Sequence, residues 1–207
     1  RRPRSDMRVA MTVVENRPAA DELQVARRAM IDSQLRVSGV NSPGILAAFA
    51  SVPREDFVPA ERRALAYIDR AVPLGEGKAL SPALTYGQML EAAGVTADDK
   101  VLVLSANGYL AALAGKLAGS VSSADSLADA QGGPFSLILI DGAAEVLPES
   151  LAALLTDDGR VITGLADRGV TRLAIARKAL GKVVATPLGE ADFAVLPQFA
   201  AAKTWSF

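Results

Sequence analysis

The chain has 207 residues, of which 50% are hydrophobic and 22% charged, with a formal net charge of -1. This length and composition predict one well-cored α/β domain, and they exclude a disordered chain and a general nucleic-acid-binding protein. The complete absence of cysteine and histidine excludes thiolate zinc sites, cysteine nucleophiles and histidine bases.

The chain carries no membrane or export signal that its sequence reveals. No apolar run reaches the roughly 18–20 residues that span a bilayer, and no hydrophobic signal region stands near the first residue. The absence of cysteine fits a reducing compartment. We therefore expect a cytoplasmic protein without a membrane span, a nucleic-acid partner or a bound metal.

The first hundred residues read as a helical region. Residues 1–20 lack periodicity and are expected to form a flexible extension. A helix is predicted from Asp21, its N-cap, to about Ser38, with Gly39 as its stop. A short second helix should follow Pro43. Apolar residues at helical spacing support both predictions.

Two further helices and one connection complete this region. Residues 60–66 read as a third helix, and 67–80 read as an irregular connection because glycine and proline recur there. Ser81 and Pro82 open a fourth helix in the N-cap/N1 pattern, and Gly94 closes it. We expect this region, residues 21–99, and the core that follows, residues 100–207, to form a single domain.

Strands and helices alternate from residue 100 onward, which is typical of a doubly wound parallel sheet. The strongly apolar run Phe135–Ile140 is expected at its centre. The remaining predicted strands are Val101–Leu104, Ser120–Ala124, Gly159–Gly164, 171–177, 182–187 and a last one at 203–207, with helices at 109–118 and from Pro148 to Leu155. The pair at 171–187 is expected to be antiparallel around a Leu180-Gly181 turn.

The junction after the first core strand carries the main functional signal. In a βαβ unit, such a turn sets backbone N–H groups and a helix N-terminus against a nucleotide. A dinucleotide fingerprint has three glycines, whereas this junction has Gly108 alone, with Ser105 and Asn107 before it. The residues leave two interpretations open: a narrowed cofactor loop that still binds, or a turn without a ligand.

Two aspartates follow predicted strands. Asp125 lies 20 residues beyond Ser105, the spacing expected of an acidic residue that contacts ribose hydroxyls, but it could also cap a short turn. Asp141 follows the central strand at the carboxyl edge of the sheet, where ligands bind in this architecture. It could contact substrate or cofactor, or cap the next turn.

Several motifs in series resemble one family. They are Ala26–Arg36 (ARRAMIDSQLR), Val52–Pro59 (VPREDFVP), Ala66–Asp69 (AYID), Pro73–Gly77 (PLGEG), Pro82, Phe135–Pro148 (FSLILIDGAAEVLP) and Asp158–Val161 (DGRV). Together they resemble the protein-L-isoaspartate O-methyltransferases over roughly residues 24–207.

The resemblance implies an α/β fold with a Rossmann-like sheet, helices on both faces and an N-terminal helical cap. It implies S-adenosylmethionine as cofactor and a protein or peptide as substrate, methylated on isoaspartyl carboxylates. Ser105, Asn107, Gly108, Asp125 and Asp141 would then lie on the cofactor side. Tyr67, Asp69, Gly75 and Gly77 would lie nearer the substrate. Ser81 is the candidate for the family's active-site serine, although an N-cap role is the simpler interpretation.

The segment between Asp125 and Ile140 is too short for the helix and third strand that the family places there. We therefore expect a sheet shortened at that edge and an adenine pocket uncovered on one face. An alternative function is a non-catalytic pseudo-methyltransferase that serves as a protein-binding or assembly module. The interpretation as a binder of NAD or nucleotide phosphates has less support, because the junction lacks the lysine and the paired glycines of those sites.

Overall fold

The N-terminal half of the molecule is helical, as expected. The computed structural model describes residues 19–202. Helix α1 (Ala20–Met30) continues through a π-helical turn (Ile31–Leu35) and a 3-10 turn (Arg36–Ser38), and it ends at Gly39, whose φ of 91° is left-handed. The predicted helix and its stop at Gly39 are confirmed, but the assignment of Asp21 as N-cap is wrong, because Ala19 is the N-cap and Asp21 lies in the first helical turn.

The following elements differ more from expectation. Helix α2 (Pro43–Ser51) is confirmed, and the third predicted helix is a 3-10 helix, Ala60–Leu65. The prediction of an irregular connection over 67–80 is wrong for its second half. There, β1 (Val72–Gly75) and β2 (Lys78–Leu80) form an antiparallel hairpin. Strands this short, containing proline and glycine, leave too little alternation for the sequence to reveal them.

Helix α3 (Ala83–Ala93) starts after Pro82 and ends at Gly94, which adopts the left-handed conformation. The prediction that Gly94 ends this helix is therefore confirmed. The expectation that Ser81 caps this helix is wrong, because Pro82 occupies the N-cap and no side chain caps the helix. The Ser81 hydroxyl donates its hydrogen bond elsewhere, to Asp141.

The core is a six-stranded mixed sheet, which confirms the predicted α/β class. Its strands, in chain order, are β3 (Lys100–Leu104), β4 (Ser120–Ala124), β5 (Phe135–Ala144), β6 (Leu155–Asp167), β7 (Val170–Ala179) and β8 (Lys182–Glu190). The spatial order is β4-β3-β5-β6-β7-β8, parallel from β4 to β6 and antiparallel from β6 to β8. Within residues 19–202 β4 is an edge strand, so the predicted shortening is confirmed.

The two faces of the sheet are covered unequally. Val101 and Val103 of β3 pack against the layer that contains α1 to α4, whereas Leu102 and Leu104 face the other side, since successive side chains in a strand alternate. That other side is covered by one helical turn, α5 (Leu151–Leu154), and by short 3-10 turns and loops. Helix α4 (Tyr109–Ala114) and α5 are both shorter than predicted.

A buried ion pair ties the sheet to α3 at the edge opposite the predicted site. The Arg160 guanidinium donates to both carboxylate oxygens of Asp99, at 3.0 and 2.9 Å, and to the Ala93 carbonyl oxygen at 2.6 Å. The Ser136 hydroxyl donates to the same carboxylate at 2.7 Å. These bonds join the end of α3 to β5 and β6.

No helix within residues 19–202 is long and apolar enough to cross a membrane. The flexible extension predicted for residues 1–20 and the strand predicted at 203–207 lie, except for Ala19 and Ala20, outside the described residues.

Candidate functional site

The site forms where β3 ends beside the carboxyl-terminal part of β5. Leu104 pairs with Ile140 in these parallel strands, so the residues that follow, Ser105 and Asp141, are neighbours. The Ser105 hydroxyl donates a 2.7 Å hydrogen bond to Oδ2 of Asp141. The carboxyl edge of a parallel sheet therefore presents a carboxylate at the place where α/β proteins bind their ligands.

Three more donors converge on Asp141. The Tyr86 hydroxyl and the Asn107 amide donate to Oδ2 at 2.8 and 3.1 Å, and the Ser81 hydroxyl donates to Oδ1 at 3.0 Å. Burial raises the pKa of Asp141, and the four hydrogen bonds oppose that shift because they favour the charged form. All four donors are neutral, so this carboxylate is solvated by the protein without a direct ion pair.

The loop between β3 and α4 is closed by side chains. The Asn107 N–H donates to the Ser105 hydroxyl at 3.2 Å, and the Tyr109 N–H donates to Oδ1 of Asn107 at 3.1 Å. Gly108, the N-cap of α4, has a φ of -84°, and Asn107 is not among the residues with positive φ. The conformational freedom that glycines would supply is therefore not needed in this shortened loop.

A buried arginine supports the other side of the cluster. Arg54 is fully buried, and its guanidinium donates to the carbonyl oxygens of Ala66 and Ser81, at 2.6 Å each. Its central carbon lies 5.9 Å from the ring centroid of Tyr86 and 5.2 Å from that of Tyr109. Burial lowers the pKa of Arg54. Within residues 19–202 it makes no ion pair.

A cavity of about 270 Å³ opens beside Asp141. The β1–β2 hairpin lines one part of it, and the loop after β3 lines another. Six of the predicted site residues border it: Gly77, Ser81, Ser105, Asn107, Asp125 and Asp141.

The segment 194–198 supplies a further wall of this cavity. It is bonded to the end of β5, because the Ala143 N–H donates to the Ala194 carbonyl oxygen at 2.8 Å and the Leu196 N–H donates to the Ala143 carbonyl oxygen at 2.9 Å. Leu196 packs so closely over Gly142 that a Cβ at that position would overlap it. Residues close to the end of the chain thus help to enclose a pocket that the short Asp125–Ile140 segment predicts to be open.

The other four predicted residues do not border the cavity. The Tyr67 hydroxyl donates to Glu55 and accepts from Nε of Arg27 at 2.7 Å, so it joins α1 to the short 3-10 helix Arg54–Phe57. Burial and the bond to Glu55 raise the pKa of Tyr67 to about 12. Asp69 and Gly75 are exposed, and Gly108 lies behind the loop against Phe57. Their predicted roles stay predictions.

Sequence reasoning missed Tyr86 and Arg54 as members of the site. The only sequence signal for Tyr86 is a polar aromatic residue on the buried side of α3, and that side is known only once the helix is placed in the fold. Arg54 stands in the VPREDFVP motif, but nothing in that motif reveals which backbone carbonyls the side chain reaches. Both residues act through contacts distant in sequence.

Comparison with known proteins gives a consistent result. The family model described as protein-L-isoaspartate(D-aspartate) O-methyltransferase matches residues 26–130. The protein-L-isoaspartate O-methyltransferase of Koribacter versatilis is 31% identical over 199 residues, covering 82% of this chain and 90% of the relative. The enzyme of that name from Rhodopseudomonas palustris (strain ATCC BAA-98 / CGA009) is 32% identical over 194 residues, covering 79% and 85%.

Solved structures agree on the fold. A Plasmodium falciparum chain described as a protein-L-isoaspartate O-methyltransferase in complex with S-adenosyl-L-homocysteine superposes with a TM-score of 0.65 at 17% identity, covering 84% of this chain and 98% of that one. Another chain of the same enzyme name superposes with a TM-score of 0.68 at 18% identity, covering 82% and 65%. The motifs that run from the N-terminal helices to the sheet, the order of the strands and the matched relatives agree, and this chain belongs to the protein-L-isoaspartate O-methyltransferase family.

Proposed function

We propose that the protein binds S-adenosylmethionine in the cavity beside Asp141 and methylates isoaspartyl carboxylates of protein or peptide substrates. The observation that carries this proposal is the position of the cavity, at the carboxyl end of β3 beside the carboxyl-terminal part of β5, where Ser81, Ser105 and Asp141 border it. Its volume of about 270 Å³ lies just below the range usual for small-molecule sites, about 300–1,000 Å³.

The chemistry of the lining residues fits such a cofactor. Asp125 follows β4, is exposed, and makes no hydrogen bond or ion pair within residues 19–202, so its carboxylate can accept from ribose hydroxyls. Oδ1 of Asp141 accepts from Ser81 alone and keeps room for a further donor. The N–H groups of Asn107 and Tyr109 are already bonded within the loop, so the side chains supply the contacts.

The proposed reaction asks little of the protein in acid–base terms. When bound, S-adenosylmethionine supplies a methyl group already activated on a positively charged sulfur. The acceptor carboxylate is anionic at neutral pH, so no general base is required, and the lack of histidine is no obstacle. What remains is to hold two reactants in line and to exclude water.

The residues at the mouth of the cavity suit the acceptor. Lys78, at the start of β2, is exposed and borders the cavity, where its ammonium group attracts a carboxylate. The Ser81 hydroxyl lies deeper and can donate to an acceptor carboxylate when it rotates away from Asp141. The partner in this proposal is a protein or peptide; the relatives' names give no support to the non-catalytic alternative.

Binding and transfer can be tested separately. Isothermal titration with S-adenosylhomocysteine should give measurable heat, and Ala106→Trp, which fills the cavity, should abolish it. Ala64→Trp, on the exposed side of the 3-10 helix, is the matched control and should bind normally. Labelled S-adenosylmethionine should then methylate an isoaspartyl peptide and leave the same peptide with ordinary aspartate unlabelled.

The same assays examine Ser81. Ser81→Ala should slow methyl transfer about tenfold while changing S-adenosylhomocysteine binding by less than about threefold, because the hydroxyl is proposed to contact the acceptor. Absence of any binding at millimolar nucleoside would overturn the proposal. Binding without transfer to any isoaspartyl peptide would overturn the choice of substrate.

A further inference from the structure

The loop between β3 and α4 contains a chemically labile pair of residues. Asn107 is followed by Gly108, and of the three asparagines in the chain it is the only one that precedes a glycine. Because glycine has no Cβ, no side chain shields its backbone nitrogen from the asparagine before it. That nitrogen can therefore approach the side-chain carbonyl carbon of the asparagine and attack it.

The fold leaves this nitrogen free and accessible. Within residues 19–202 the Gly108 N–H has no hydrogen-bond partner, and Gly108 is exposed to solvent. The N–H groups on either side of it are bonded, that of Asn107 to the Ser105 hydroxyl and that of Tyr109 to Oδ1 of Asn107. The bond from Tyr109 also polarises the Asn107 carbonyl group and stabilises its oxygen as that oxygen gains negative charge during an attack.

We infer that Asn107 is a site of spontaneous modification, where the side-chain amide is lost to intramolecular attack by the Gly108 nitrogen. This nitrogen gives up its proton and bonds to Cγ of Asn107, while the bond from Cγ to Nδ2 breaks and ammonia leaves with a proton. A water molecule then opens the resulting cyclic imide at either carbonyl carbon. One opening leaves aspartate, and the other leaves isoaspartate, in which the main chain runs through Cγ.

Either product removes a hydrogen-bond donor from Asp141. The Asn107 amide donates to Oδ2 of Asp141 at 3.1 Å, whereas an ionised carboxyl group can only accept. Deamidation therefore replaces an attractive contact with repulsion between two negative charges. We expect the loop to lose the conformation in which Ser105, Asn107 and Asp141 line the cavity together. The effect on cofactor binding rests on the proposed function, but the modification itself does not.

Asn41 is an internal control, because it is exposed but the backbone nitrogen after it is occupied. The Ser42 N–H donates to Oε1 of Glu91 at 2.8 Å. This bond to a charged acceptor must break before the nitrogen can attack, so deamidation should be at least about tenfold slower at Asn41 than at Asn107. Ser42→Gly creates a second Asn-Gly pair but keeps the backbone bond to Glu91. Glycine is tolerated at a helix N-cap, so this variant should fold.

The test is to incubate the folded protein at mildly alkaline pH and to follow Asn41 and Asn107 by peptide mass spectrometry. Asn107 should convert to the acid while Asn41 stays intact, both in the wild type and in Ser42→Gly. Gly108→Ala should slow the conversion at Asn107. The added Cβ meets only the Phe57 ring, at 3.4 Å, and the φ of -84° suits alanine. Conversion at Asn107 no faster than at Asn41, in either the wild type or Ser42→Gly, would overturn the inference.

The consequence of the modification is tested with Asn107→Asp, which has the sequence of one product. This variant should unfold at a lower temperature than the wild type and bind S-adenosylhomocysteine more weakly, whereas Asn41→Asp should behave like the wild type. Aged wild-type protein should show the same two losses, and aged Gly108→Ala should show neither. An unchanged unfolding temperature in both Asn107→Asp and the aged wild type would overturn the consequence drawn for the loop. If fresh protein binds no nucleoside, the proposed function fails, but mass spectrometry and unfolding still decide the inference.

Discussion

The guanidinium group of Arg54 donates a 2.6 Å hydrogen bond to the carbonyl oxygen of Ser81, the residue whose hydroxyl bonds to Asp141. A buried cation therefore fixes the backbone at the entrance to α3, and through it the orientation of a side chain in the cavity. This relationship joins the N-terminal helical region to the carboxyl edge of the sheet.

Arg54→Lys should destabilise the protein although it keeps the charge. A lysine ammonium cannot reach the carbonyl oxygens of both Ala66 and Ser81 in the fork geometry of a guanidinium. We expect the free energy of unfolding to fall by about 2–3 kcal/mol, the cost of leaving a buried polar group unsatisfied. Urea denaturation measures it, with the exposed Arg70→Lys as control. A loss as small as that of the control would contradict the role given to Arg54.

The Asp99–Arg160 pair should make stability depend on pH at the acidic end. Burial acts to raise the pKa of Asp99, but the bonds from Arg160, Ser136 and Thr96 outweigh it and hold that pKa well below its usual value of 3.8. A carboxyl with a depressed folded pKa stabilises the fold above its unfolded value, and this contribution is lost as the pH falls through the folded value.

We therefore expect Asp99→Asn to lower the free energy of unfolding by about 3 kcal/mol at pH 7, as for a broken buried pair. The difference from the wild type should shrink below pH 4, where the wild type begins to lose the same contribution. Asp158→Asn, at an exposed position of β6, serves as the control. A difference that stays constant from pH 7 to pH 3 would show that the ion pair does not set the acid limit.

All three tyrosines of the chain should resist ionisation in the folded protein. Burial raises the pKa of Tyr67 to about 12, and it also raises the pKa values of Tyr86 and Tyr109 well above the usual value. A tyrosine with a raised folded pKa contributes stability that is present below its unfolded value of 10.0 and is lost as the pH climbs above it. Ultraviolet absorbance should therefore detect no tyrosinate until the pH exceeds 11 or the protein unfolds. One tyrosine that titrates near pH 10 while the fold persists would refute this.

The turn between β7 and β8 contains backbone strain that a substitution at Leu180 should relieve. Leu180 and Gly181 both have positive φ, 50° and 78°, and the leucine side chain is fully exposed. Asparagine tolerates this conformation better than leucine and is favoured in such two-residue hairpin turns. Leu180→Asn should raise the free energy of unfolding by about 0.5–1 kcal/mol, measured by thermal denaturation. Gly181→Ala should lower it, and an unchanged midpoint for both variants would contradict the assignment.

Much of the sheet was predictable because its strands are buried on both faces. The run Val101–Leu104 is continuously apolar, Phe135–Ile140 is apolar except for Ser136, and the Leu180-Gly181 turn separates two alternating segments, so pattern alone identifies them. The β1–β2 hairpin was not predictable, because Val72–Gly75 contains a proline and a glycine in four residues. A strand of three or four residues is too short for the alternation of apolar and polar residues to identify it.

The site was predictable to the extent that strand ends define it. Ser105 follows β3, and Asp141 lies beside it in the neighbouring parallel strand β5, so the topology alone brings them together. The N-cap interpretation of Ser81 is wrong, because nothing in the sequence shows that its hydroxyl bonds to a carboxylate sixty residues away, whereas its assignment as the candidate active-site serine stays a prediction. Tyr86 and Arg54 depend on how the helices pack against the sheet, which no local spacing encodes.

Because the two faces of the sheet are covered unequally, local unfolding should expose the backbone on one face before the other. Opening the face that carries α5 separates a small apolar cluster, whereas opening the other face must detach α1 to α4 together. Amide protons of Leu151–Leu154 should therefore exchange with deuterium sooner than those of β3 and β5, whose strands are held on both sides. Local opening of this molecule therefore begins on the face of the sheet that α5 covers.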